Sequence, residues 1–345
     1  MTDSQTIVID VGKYSVKAGL SGDASKLSSP EAYRAVELLE LQNAAYLPEG
    51  EFSREQLETL YANIFKSLDI SPSGQTVVLS EPLSISNRQR ELVTQLMFET
   101  YNVTSMFSHL DACLALYGTG RASGIVVDVG CNTTRAIPIY DGYPIQTAAK
   151  ETPVGGEDIT ELVLRLLTNA NPTLNTITVD IARTVKERLA LCPATPLDMS
   201  QTAHTERTFT LPDDTVLTVK SAHAEAGEAL FTPSRVNGLG KNIIGIDDLV
   251  HAAYMAAPSD YRSELVKSIS ICGGGSMIKD IPDRLEAEVL ARIPHPDTCI
   301  LCPPDRGEAV WLGGSILASL KSFSQVALTK RDYDEVGPSI VHRKN

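Results

Sequence analysis

The feature that most constrains this chain is a short internal repeat. Ile7-Val8-Ile9-Asp10-Val11-Gly12 returns as Ile125-Val126-Val127-Asp128-Val129-Gly130. Each copy is a run of β-branched apolar residues ending in Asp-Val-Gly, the pattern of a buried strand entering a tight turn. A second strand-like run follows each turn, Ser15 to Leu20 in one copy and Thr133 to Tyr140 in the other, where Asp141-Gly142 adds a hairpin signal. Two copies of one strand–turn–strand unit, 118 positions apart, imply two related lobes. Length agrees, because 345 residues exceed what one simple core fills.

Helical spacing recurs between the strands. Arg54 to Leu68 has apolar residues at helical intervals, with Ser53 placed as N-cap and Glu55 in the first turn. Ser86 to Tyr101, His109 to Tyr117, Asp158 to Asn169 and Val179 to Leu191 also read as helices. Leu211 to Val219 alternates around Asp213-Asp214 as a hairpin, and Ala309 to Gly314 leads into a helix over Ser315 to Phe323. Between Pro30 and Pro48 the sequence offers no strand, only a helix-favouring run from Glu31 to Leu41. Strands alternating with helices give an α/β class.

Composition narrows the function. Thirty basic against 43 acidic residues leave a net charge of −13, which disfavours direct contact with nucleic acid or an anionic membrane. No apolar run is long enough to span a bilayer, and the start lacks the pattern of a secretory signal. Six scattered cysteines do not make a disulfide framework. The expectation is an intracellular protein, cytoplasmic or nuclear.

Glycine-rich turns after strands let backbone N–H groups approach phosphate, since no side chain intervenes. Gly12-Lys13, Gly130-Cys131 and Cys272-Gly273-Gly274-Gly275-Ser276 are such turns. Gly155-Gly156 precedes a helix whose N-terminus favours an anion. None fits a Walker or dinucleotide fingerprint. Asp10 and Asp128 in the repeated turns, with Lys17 beyond the first, suit a metal–phosphate ligand: the carboxylates hold Mg²⁺ through waters and the lysine neutralises phosphate charge. The alternative is that both aspartates only cap their turns. Cys299 and Cys302 have metal-ligand spacing but no second pair, and read as part of a buried strand.

The run Ala309-Val310-Trp311-Leu312-Gly313-Gly314-Ser315-Ile316-Leu317-Ala318 resembles actin. So do Tyr333-Asp334-Glu335-Val336-Gly337-Pro338, Met97 to Val103 and Pro138 to Tyr143, and the likeness covers almost the whole chain. The resemblance implies a two-lobed actin-like fold of duplicated ribonuclease-H-like domains around a nucleotide cleft. Residues 1–118 and 309–345 would form the small lobe and 119–308 the large one. It further implies ATP or ADP with Mg²⁺, Asp10 and Asp128 lying at the metal. Gly12, Lys13, Tyr14, Ser15 and Lys17 match the first phosphate hairpin; Gly130, Cys131 and Asn132 match the second, with Gly155 and Gly156 beside it. Arg183, Lys186 and Glu187 match residues flanking base and ribose, and Gly273, Gly274, Gly275 and Met277 match the adenosine-side loop.

The chain departs from that pattern at telling positions. Lys13-Tyr14 stands where actin has Ser-Gly, and Cys131-Asn132 where it has Asp-Gly. Asp111, the one candidate catalytic residue, occupies the place of the glutamine that orients the attacking water, and Arg135 replaces a nearby histidine. Gly307-Glu308 replaces a Lys-Tyr pair beside the adenine. The segment after Pro30 is too short for the small subdomain that carries a filament contact, and a head-to-tail interface lacking one half does not propagate. The implied function is therefore an actin-related protein: an ATP-binding structural subunit of a multiprotein assembly, of chromatin-remodelling or dynactin type, with little or no hydrolysis. Its partners would be protein subunits, actin or other actin-related proteins among them. The alternative is a filament-forming, actin-like cytoskeletal ATPase, favoured by the well-kept C-terminal run.

Overall fold

The computed structural model describes residues 6–22, 30–40, 50–174, 176–197, 207–235 and 243–343. The chain divides into two compact units, one formed by residues 1–122 with 308–345 and the other by 123–307. In chain order the strands of the first half are β1 (Thr6–Val11), β2 (Ser15–Leu20), β3 (Glu31–Arg34), β4 (Thr76–Glu81), β5 (Ser105–Leu110), β6 (Gly124–Val129) and β7 (Thr134–Tyr140). They continue as β8 (Tyr143–Pro144), β9 (Lys150–Thr152), β10 (Thr208–Thr210), β11 (Val216–Thr218), β12 (Ile269–Cys272), β13 (Ile300–Leu301) and β14 (Leu328–Thr329).

The repeat in the sequence is a repeat in topology. The first unit's sheet runs β14-β5-β4-β1-β2-β3, with β1, β4 and β5 parallel and β1–β2 an antiparallel hairpin. The second unit's sheet runs β13-β12-β6-β7-β8, with β6, β12 and β13 parallel and β6–β7 antiparallel. A third antiparallel strand joins the outer side of each hairpin, β3 on β2 and β9 on β7. The two hairpins share one register: Asp10 faces Lys17 and Val11 faces Val16, as Asp128 faces Arg135 and Val129 faces Thr134.

Each hairpin is anchored by burial on both faces of its first strand, as parallel central strands require. In β1, Ile7 and Ile9 join a core with Leu60, Ile64, Leu79 and Leu96. Val8 points to the other face, against Val78, Phe107 and Trp311. In the second unit Ile125, Val127 and Val129 pack with Ile271, Ile159, Val163 and Leu249. The helix Arg54–Ser67 covers the first core and starts with a complete capping box between Ser53 and Gln56. Among the described residues no helix is long and apolar enough to cross a membrane.

Several expectations need correction. Glu31 to Leu41 is not a continuous helix: Glu31–Arg34 pairs with β2, and only Ala35–Leu38 is helical. An open sheet edge beside β2 overrides the local helix preference; Leu41 itself lies outside the described residues. His109 lies within β5, which ends at Leu110, and the helix begins only at Asp111. The C-terminal helix spans Ala309–Ala318 and therefore includes the segment read as leading into it. Cys299 is exposed and Cys302 half-buried, so the short β13 is an edge strand and not a buried one.

The helix Ala309–Ala318 holds β1 in place. Trp311, the only tryptophan, is 1% exposed, and its indole N–H donates to the Val8 carbonyl at 3.1 Å. Trp311→Phe leaves that buried carbonyl with one donor fewer and opens a gap, and it should cost about 2–4 kcal/mol in urea denaturation. An unchanged midpoint would contradict this role for the helix.

Candidate functional site

In α/β sheets, ligand groups gather at the carboxyl ends of parallel strands. In the first unit those ends carry Asp10 (β1), Ser80 (β4) and, one residue past β5, Asp111. The first hairpin closes with the Gly12 N–H donating to the Ser15 carbonyl at 3.1 Å. A β-carbon on Gly12 would sit 2.7 Å from that carbonyl oxygen, so the turn needs glycine. The buried Asp10 accepts a hydrogen bond from the Ser80 hydroxyl at 2.7 Å and has the Lys17 ammonium 3.7 Å from its other oxygen. Ser80 also accepts from the Val11 N–H at 3.3 Å, which ties β4 to the turn. Lys13, Tyr14 and Ser15 are half-buried at the tip, and the Tyr14 carbonyl accepts from the Ala35 N–H at 3.0 Å.

Asp111 opens the helix Asp111–Gly118 and turns back on it, its Oδ1 accepting from the Ala112 N–H at 2.7 Å. A carboxylate at a helix N-terminus is stabilised by the exposed N–H groups there. Just upstream, His109 stacks on Tyr117 with ring centroids 5.8 Å apart. Burial, aided by the Arg90 charge, lowers its pKa from 6.5 to about 4.

The second unit repeats the arrangement at the ends of β6 and β12. The Gly130 N–H donates to the Thr133 carbonyl at 2.9 Å, and Asp128 is ion-paired through Oδ2 with the guanidinium of Arg135. The glycine-rich loop after β12 packs under this hairpin. Gly273 has a φ of +89°, and a β-carbon there would lie 2.5 Å from Asp128 Oδ1. Gly275 is equally close to Val129, whereas Gly274 faces open space. The Asn132 side-chain oxygen is buried at the hairpin tip with no hydrogen-bond partner among the described residues. An unsatisfied amide in such a turn suits a ligand, and rotation of the amide presents its NH₂ to a phosphate oxygen.

Gly155 and Gly156 play another part than the sequence suggested. The Gly156 N–H donates to the Gly130 carbonyl at 2.9 Å and the Glu157 N–H to the Cys131 carbonyl at 2.8 Å, while Asp158 accepts from the Gly155 N–H at 2.8 Å. The first N–H groups of the helix Gly156–Ala170 are thus spent on docking the hairpin and not on an anion. Lys186 reaches in from the helix Val179–Leu189 and donates to the Gly156 carbonyl and the Thr160 hydroxyl, both at 2.8 Å. Arg183 pairs with Asp180 at 2.7 Å and Glu157 at 3.4 Å. Burial lowers the Lys186 pKa and raises that of Glu157, the latter opposed by Arg183. Glu187 is exposed on the same helix. Met277, 47% exposed, lies against Gly307, and Arg306 donates to the Ser276 carbonyl at 2.9 Å, closing the loop.

Within each unit, then, the hairpin and loop residues picked out from sequence follow the carboxyl ends of parallel strands, whereas Glu187 stays exposed on its helix. Sequence reading missed Ser80 and Arg306, which occupy no glycine-rich or acidic motif. Among the described residues no group of three or more acidic, histidine or cysteine side chains is arranged to hold a metal. The sequence model of the actin family matches residues 52–180 and 175–345 of the chain. The first hairpin precedes the matched range, so its assignment rests on the geometry it shares with the second.

The state of His109 sets a pH dependence. Below pH 6.5 the unfolded chain takes up a proton at this histidine, whereas the folded chain resists it until about pH 4. Stability therefore falls as pH drops through that window. The acid-side slope of thermal unfolding should flatten in His109→Gln; an identical slope would place the titration elsewhere.

Proposed function

Because this chain belongs to the actin family, we propose that it is an actin-related, ATP-binding structural subunit of a multiprotein assembly that hydrolyses nucleotide slowly or not at all. Actin-family proteins bind ATP or ADP with a divalent metal ion, and each unit here carries a hairpin suited to phosphate. The observation that carries the reading is the engagement of both groups standing where the family orients water. Asp111 accepts from the N–H of its neighbour Ala112, and Arg135 is held on Asp128. Hydrolysis needs a water aligned with the leaving phosphate, and a group committed to another partner cannot align it. The nucleotide then acts as a ligand that stabilises the fold by mass action.

The filament-forming alternative drew its support from the C-terminal run, but a packing role accounts for that run. Trp311 seals one face of β1, and a β-carbon on Gly313 would lie 1.7 Å from the Leu114 carbonyl oxygen. These residues are kept by the core whether or not filaments form. The shortness of the chain between β2 and the helix Arg54–Ser67 supports the loss of one filament contact. Assemblies of chromatin-remodelling and dynactin type, with protein partners that include actin or its relatives, both suit such a subunit.

Purified chain should release bound ATP or ADP on acid extraction, show phosphate release indistinguishable from buffer, and stay in the supernatant on sedimentation at rising concentration. Turnover that grows with concentration, accompanied by pelleting, would establish the filament ATPase instead.

A further inference from the structure

Asp128 does not offer a divalent cation what a metal carboxylate must. One oxygen is taken by the Arg135 guanidinium. A β-carbon on Gly273 would lie 2.5 Å from the other, and the Cys272 sulfur is 4.0 Å from it. The side chains of Asp128 and Arg135 are only 16% and 14% exposed, so solvent screens their charges little. A divalent ion arriving at this carboxylate would have to displace the guanidinium or sit beside it, like charge against like charge. Asp10 is engaged in the same way, by Ser80 and Lys17.

The duplicated hairpins show where the arginine belongs. Lys17 and Arg135 hold the same register position, each directly opposite the aspartate of its own hairpin. The first unit thus has an ammonium across from its carboxylate, and the second has a guanidinium where the actin pattern has histidine. A neutral histidine leaves the carboxylate's charge facing that of a phosphate, and a divalent ion must then bridge the two. An arginine neutralises the carboxylate without one, and its guanidinium is a fitting neighbour for phosphate oxygens.

We propose that Arg135 stands in for the divalent cation at Asp128, so that this chain binds adenine nucleotide without requiring a metal ion. The inference rests on the nucleotide-binding reading above, and the experiment separates the two. The full chain, stripped of nucleotide, is titrated with ATP by calorimetry in Mg²⁺ and again in EDTA. The dissociation constants should agree within about threefold, because the charge a metal would supply is built in. Arg135→His should become metal-dependent, its affinity falling about tenfold or more when Mg²⁺ is removed. Wild-type binding that collapses in EDTA would overturn the inference while leaving the nucleotide reading intact. Absence of binding in both buffers would overturn that reading, and this inference with it. A folded Arg135→His protein that remains indifferent to Mg²⁺ would remove Arg135 from the account. Should that variant not fold, the two wild-type titrations still decide.

Discussion

A carboxylate at the end of a buried parallel strand needs a counter-charge, and in this chain the antiparallel hairpin supplies it. The residue directly across the strand pair is Lys17 for Asp10 and Arg135 for Asp128. Register makes this pairing obligatory, since a one-residue slip would turn the cation to the opposite face of the sheet. In the first unit that register is set by the closed turn, in which the Gly12 N–H donates to the Ser15 carbonyl. The Gly130 N–H to Thr133 carbonyl bond does the same in the second. The charge pairs are therefore a consequence of hairpin geometry, and the turns they flank are the ones we assign to phosphate.

The neighbouring elements hold the turns rigid. The helix Gly156–Ala170 docks on the second hairpin through two backbone hydrogen bonds and is braced by Lys186. The loop after β12 comes so close beneath Asp128 that only glycine fits at position 273. Such close approach costs conformational freedom at each glycine and returns a preorganised backbone. The same crowding leaves little room beside the Asp128 oxygen that Arg135 does not take. Rigid geometry and internal neutralisation belong together here, and both suit a protein that holds a nucleotide without turning it over.

Much of this was legible in the sequence because it follows from local rules. The two Asp-Val-Gly strands, the Ser53 cap and the Asp141-Gly142 turn announce themselves by periodicity and turn chemistry. What escaped is what tertiary structure decides. The edge strand Glu31–Arg34 exists because β2 offers it partners, and its own residues favour helix. Gly155-Gly156 resembles an anion site in isolation, but the carbonyls of Gly130 and Cys131 reach its N–H groups first. Arg135 was visible as a replaced histidine; that it pairs with Asp128 emerges only when the hairpin register is known.

A crystal structure of the chain grown with ATP and Mg²⁺ tests the account most directly. The account predicts phosphate density against the second hairpin, with the Arg135 guanidinium still on Asp128 and no ion coordinated through that carboxylate. An octahedral ion on Asp128, with Arg135 swung away, would contradict it.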